Sequence, residues 1–125
     1  MPATLLMSVA ASSATELWDE LLILKSASRL RKNLCAAGVV VPPGCHHAHH
    51  IVAVAAPAAQ ASRDILAKYG IDIDDWRNGT YVRCDQHAGL HTNYYYGQVE
   101  ARLKLADLSG AGMPAVLRAL SVIRL

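Results

Sequence analysis

The stretch CHHAHHIVAV (45–54) decides how this chain is read, together with HAGLHTNYYY (87–96) downstream. β-Branched Ile51, Val52 and Val54 predict an extended segment over 47–54. A His-His pair at the end of such a segment, here His49-His50, can supply one metal ligand and one unbound imidazole beside it. Adjacent strand residues point to opposite faces, so a shared site requires a bend or a strand end there. In the second stretch, His87 and His91 stand at i and i+4 on a helix predicted over 86–106, which places both imidazoles on one face. Gly89 between them costs a helix about 1 kcal/mol relative to Ala, which implies that a backbone or substrate comes close. Between the two stretches, Asn78-Gly79 is a strong turn signal ahead of a short strand, Thr80 to Cys84.

Outward from this centre the pattern is helical. Ser13 and Glu16 have capping-box spacing, and a helix is expected over 15–33, with Gly38 as its stop. Leu17, Trp18, Leu21, Leu24 and Leu30 form its apolar stripe, and Trp18 and Trp76 are expected to anchor the core. A second helix is expected from Pro57 to Tyr69, stopped by Gly70 and followed by the polar connection IDIDDW (71–76). After a break over 109–112, a last helix runs from Pro114 to Arg124. Abundant Ala and no Phe also point to a mainly helical fold with one small β-hairpin.

The 125 residues fit one domain, without internal repeats. Twelve Lys and Arg against ten Asp and Glu give a net charge of +2, which excludes recognition by bulk positive charge. No apolar run reaches the roughly 18–20 residues of a membrane span, so no membrane partner is expected. The opening MPATLLM has no basic residue, so no conventional secretory signal is visible. Three cysteines, an odd number without a CxxC pair, predict no disulfide scaffold and a reducing compartment.

Six histidines in so short a chain need a chemical account. A metal-activated phosphodiesterase needs a cation to stabilise phosphoryl charge and a separate base to take a proton from water. His49, His87, His91 and His50 satisfy that division of labour, with Asn78 placed to orient the base or reach the metal. Tyr94 and Tyr95 continue the His87/His91 face one turn on, as core packing or as hydroxyls behind the ligands; His47 is a further neighbour, and Tyr96 reads as structural. Arg77, Arg83, Lys68 and Arg63 flank the site as candidate phosphate contacts, which position a backbone without reading bases. The bland alternatives are a satisfied histidine cluster or a structural zinc knot drawing on Cys45 and Cys84, although their spacing matches no finger pattern.

AHHIV (48–52), Asn78-Gly79 and H-x-G-x-H-T-x-x-Y-Y (87–96) together resemble the AHH family of predicted bacterial nuclease toxins, in the HNH/endonuclease VII superfamily. The interval N-x8-H-x3-H is similar to that of colicin-type HNH DNases. The resemblance covers about half the chain, roughly Cys45 to Leu105. It implies a ββα-metal core over 45–106, between an N-terminal helical part (1–40) and a C-terminal helix (107–125), in a single nuclease domain. It implies that His49, His87 and His91 hold one divalent ion (Mg, Mn, Zn or Ni), that His50 is the general base, and that Asn78 positions His50 or joins the ligands. The expected activity is largely non-specific cleavage of DNA, with RNA or another phosphodiester as the alternative substrate, and a non-catalytic zinc-stabilised nucleic-acid-binding module as the rival class. A toxin of this family implies a cognate immunity protein, synthesis in the bacterial cytoplasm and delivery by a secretion system. Relatives often carry Pro shortly after the paired histidines, where this chain reads Ala53-Val54.

Overall fold

The computed structural model describes the backbone of residues 3–124 and the side chains of residues 17–124. Helix α1 (Ala3–Ala36) is followed by strand β1 (His46–His50), helix α2 (Gln60–Lys68), strand β2 (Gly79–Arg83), the short helix α3 (Cys84–His87), α4 (Asn93–Leu108) and α5 (Met113–Arg124). The fold is mainly helical with one two-stranded antiparallel hairpin, and α2 is inserted between its strands.

The hairpin pairs His46 with Arg83, His47 with Val82, Ala48 with Tyr81, His49 with Thr80 and His50 with Gly79. Strand β1 therefore stops at His50 rather than at Val54, and the chain bends at Ile51 and Val52 to bury both. Those two residues join Ile65 and Leu66 of α2, Val99 and Leu103 of α4, and Val116 and Leu120 of α5 in the main core. Leu30 and Leu34 of α1 cover the other side of the hairpin against Ala48.

Helix α1 is longer than the sequence pattern predicts and passes through Ser13 without a start there; the side chains of Ser13 and Glu16 lie outside the described residues. Its end matches expectation. Gly38, at φ +78°, lets its own N–H reach the Cys35 carbonyl and the Val39 N–H reach that of Leu34, each at 3.0 Å. The predicted stripe is only partly a core face. Leu30 is fully buried, whereas Leu17, Leu21 and Leu24 are exposed, and Trp18 is 73% exposed. Neither tryptophan anchors the core: Trp76 is partly exposed and lies beneath the Arg124 guanidinium, 5.4 Å from its ring centroid. Periodicity identifies a helix face but not which turns of it meet a partner.

Asn78-Gly79 is not a hairpin turn. Trp76–Asn78 form a 3-10 turn, and Gly79 is extended as the first residue of β2. The reason for glycine is close approach: a Cβ there would lie 2.5 Å from Leu30 Cδ1. The expected helix over 86–106 is also divided. After α3, Ala88–Leu90 make a 3-10 turn, and Thr92, extended, accepts a hydrogen bond from the Tyr95 N–H at 3.2 Å to start α4. Among the described residues no atom lies within 4 Å of a Cβ placed on Gly89, so no described backbone accounts for that glycine.

The cysteine expectation is corrected. Cys45 and Cys84 form a disulfide, and Cys35 is free and exposed. Hairpin pairing brings the residue before β1 opposite the residue after β2, at a Cα–Cα distance of 5.4 Å, within the bridging range. Chain spacing of 39 residues carries no hint of that apposition.

Candidate metal centre and adjoining histidine

The hairpin and the turn after it bring three imidazoles together. His49 is buried against the rings of His87 and His91, with centroids 5.4 and 5.6 Å away. One nitrogen from each of the three lies within 4.8 Å of the others. His87 Nε2 and His91 Nε2 are 2.9 Å apart, so the 3-10 turn between them preserves the convergence that a continuous helix was expected to give.

Buried His49 Nδ1 has no hydrogen-bond partner among the described residues. Leaving such an atom unpaired costs about 1–3 kcal/mol, and a bound cation removes that cost. The donor set fits the same conclusion, because neutral imidazoles are good ligands for first-row divalent ions. Burial, then the neighbouring His87, His91 and His50, lower the His49 pKa from 6.5 to about 3. Burial also lowers those of His87 and His91. All three imidazoles are thereby kept in the form that ligates metal.

Two tyrosines stand behind this cluster. Tyr95 Oη is 3.3 Å from His49 Nε2, and Tyr96 Oη is 3.0 Å from His91 Nδ1. Burial raises the Tyr95 pKa to about 12, keeping its hydroxyl neutral. Tyr96, read from sequence as structural, thus orients a candidate ligand; the signal that would have shown it is Thr92 as a helix cap, which resets the helical phase. Tyr94 is exposed and makes no part of the cluster. His47 stacks on His87, with centroids 4.6 Å apart, and His46 lies by Arg31 at 3.3 Å.

His50, at the end of β1, turns its Nε2 toward Asp74 Oδ1 at 2.8 Å and Ser26 Oγ at 3.1 Å. It nevertheless lines the same cleft of about 360 Å³ as His87, His91 and Tyr96, between the hairpin and α1. Burial lowers its pKa, with Asp74 opposing the shift. Asp74 comes from the IDIDDW connection and is buried; Ser26 Oγ donates to it, and Arg29 lies 3.6 Å away. Nothing in the sequence distinguishes Asp74 from Asp72 or Asp75, because the helix that buries it is 41 residues away at Asn33, whose Nδ2 donates to the Asp74 carbonyl at 2.8 Å.

Asn78 is fully buried, and its side chain hydrogen-bonds to neither His50 nor the three clustered histidines. Its Oδ1 accepts from the Val52 N–H at 2.9 Å, and its Nδ2 donates to the carbonyls of Ile73 at 2.8 Å and Val52 at 3.3 Å. The side chain thus ties the bend after His50 to the connection that carries Asp74.

The four candidate phosphate contacts are mostly engaged elsewhere. Arg77 makes a two-point pair with Asp75 at 2.9 and 2.8 Å. Arg63 donates to the Ala53 carbonyl and Gln60, and Lys68 pairs with Asp107 at 2.8 Å. Arg83 pairs with Asp85 at 3.3 Å, both largely exposed, and lines a groove of about 710 Å³ with His49, Tyr95 and Arg124.

Residues 30–121 match a family described as AHH, a nuclease family of the HNH/ENDO VII superfamily with conserved AHH. No curated protein and no solved structure matches the chain. Ala48-His49-His50 is the AHH of this chain, so the match falls on the strand that carries the buried imidazole and the histidine beside Asp74.

Proposed function

The chain belongs to the AHH family of HNH/ENDO VII nucleases, and on that premise we propose that it is a metal-dependent, largely non-specific endonuclease acting on DNA. One observation carries the reading: His50 shares a cleft with His87 and His91 while the nitrogen cluster of His49, His87 and His91 is built beside it. A divalent ion held by those three residues would supply electrostatic stabilisation of the phosphoryl group and of the departing oxygen.

His50 performs the proton transfer. Its neutral imidazole accepts a proton from the attacking water; the water oxygen bonds to phosphorus as the bond to the 3′ oxygen breaks, and the departing 3′ oxygen takes a proton from solvent. The products carry 5′-phosphate and 3′-hydroxyl ends. Asn78 acts at one remove, by holding the backbone bend that follows His50. Of the four basic candidates, Arg83 is assigned to the phosphate backbone, because its partner Asp85 is itself exposed to solvent. Lys68, Arg63 and Arg77 are assigned to holding the fold.

We further propose residues 1–125 as a single nuclease domain used as an antibacterial effector, with an immunity protein as its partner. The effector role is supported by the resemblance of 48–52 and 87–96 to nuclease toxins. Among the described residues, no helix is long and apolar enough to cross a membrane.

The test is incubation of purified protein with plasmid, RNA and a small phosphodiester across Mg, Mn, Zn and Ni. Plasmid cleavage lost in His50→Ala with metal binding retained is expected. Nucleic-acid binding without turnover under any ion would replace the enzyme by a zinc-stabilised binding module. Toxicity on expression, abolished by His49→Ala, tests the effector role.

A further inference from the structure

His50 offers two nitrogens, and only one is spoken for. Nε2 faces Asp74 Oδ1 at 2.8 Å, whereas Nδ1 makes no hydrogen bond among the described residues. A neutral imidazole carries one proton, and the hydrogen bond on one nitrogen decides which nitrogen keeps a lone pair. A carboxylate can only accept, so opposite Asp74 the proton resides on Nε2 and the lone pair on Nδ1.

We propose that Asp74 is the positioning residue of the nuclease reaction, selecting the His50 tautomer whose Nδ1 accepts the proton of the attacking water. This rests on His50 as the base. Once Nδ1 is protonated, the positive imidazolium lies against the Asp74 carboxylate, so the same contact stabilises the product of the transfer.

The surroundings hold Asp74 to that task. Its backbone is fixed by Asn33 Nδ2 on its carbonyl and by Asp72 Oδ1 on its N–H at 2.7 Å. Ser26 Oγ donates to Oδ1, and the Arg29 guanidinium lies by Oδ2. Ser26 is itself buried, so it has no access to substrate and is not a nucleophile. Three of these four contacts come from α1, which gives the N-terminal helix a place in the chemistry although, among the described residues, its buried apolar side chains lie beyond Ser26.

Asp74→Asn tests the assignment at constant size. Arg29 favours an oxygen at its end of the carboxamide, which turns the NH2 toward His50 Nε2 and forces the imidazole proton onto Nδ1. The expected result is a fall in kcat of about 10²- to 10⁴-fold, the contribution of a general base, with KM and metal affinity within about threefold of the parent. Nitrogen-15 spectra of His50 should show Nε2–H in the parent and Nδ1–H in Asp74→Asn. A parent spectrum with Nδ1–H would overturn the proposal without reference to any variant. So would Asp74→Asn with kcat within about threefold of the parent while His50→Ala is inactive. Full cleavage by His50→Ala would instead remove His50 as the base, a different failure.

Discussion

Asn78 holds Val52 by both ends of its carboxamide, accepting from its N–H at 2.9 Å and donating to its carbonyl at 3.3 Å. The side chain behaves as one more residue of a strand partner at the point where β1 has ended. That geometry separates a fastening role from a ligand role.

Asn78→Ala should therefore destabilise the fold by about 2–3 kcal/mol, since buried backbone groups of Val52 and Ile73 lose their partners. Urea unfolding measures the loss. Metal affinity, read by calorimetric titration, should change less than about tenfold in the folded variant. A stable Asn78→Ala protein that no longer binds metal would make Asn78 a ligand and refute the fastening role.

Cation binding should stabilise the protein through His49, His87 and His91. At a free ion concentration of about 100 times Kd, the gain is about 2.7 kcal/mol. His87→Ala and His91→Ala should lose most of it, and a chelator should return the parent to the same baseline. Melting curves with and without ion check this. An unchanged ion-induced shift in both variants would place the metal elsewhere.

Acid should unfold the metal-free protein early. His49 has its pKa lowered from 6.5 to about 3 by burial and its neighbours, so the folded state binds fewer protons than the unfolded chain. Its contribution to stability is complete above pH 6.5 and is lost as pH falls toward about 3. The slope is up to about 1.4 kcal/mol per pH unit for this residue. His87 and His91 shift the same way and steepen it. Urea midpoints across that range should fall with pH in the parent and fall less in His49→Gln. Parallel curves for the two proteins would show that His49 is not the group responsible.

Reduction should cost stability even though Cys45 and Cys84 lie outside the cleft. Closing a loop of 39 residues is worth roughly 4 kcal/mol in the unfolded-chain model. Melting of the Cys45→Ser/Cys84→Ser variant should match that of the reduced parent, and both should lie below the oxidised parent. Equal melting of oxidised and reduced parent would mean that the bridge contributes nothing.

The parts of this molecule legible in sequence are those set by local spacing. His87 and His91 stand four residues apart, and the 3-10 turn between them still leaves their Nε2 atoms 2.9 Å apart, so the misread helix did no harm to their pairing. The extended character of Ala48-His49-His50 and the C-terminal stop at Gly38 are equally local, whereas the bend at Ile51 and Val52 is not. What stayed hidden depends on where α1 lies. Asp74 is chosen from three nearby aspartates by Ser26, Arg29 and Asn33. Gly79 is required by Leu30 rather than by a turn. The exposure of Trp18 likewise follows from which turns of α1 meet the hairpin, a matter on which residue periodicity is silent.

The bridge between Cys45 and Cys84 has one more consequence. It makes β1, α2 and β2 a closed covalent ring, with α1 leaving from one end of the fastening and the His87 segment from the other. A protease that nicks this ring once, for instance in the bend before α2, leaves a single molecule whose two pieces separate only after a thiol reductant opens the bond.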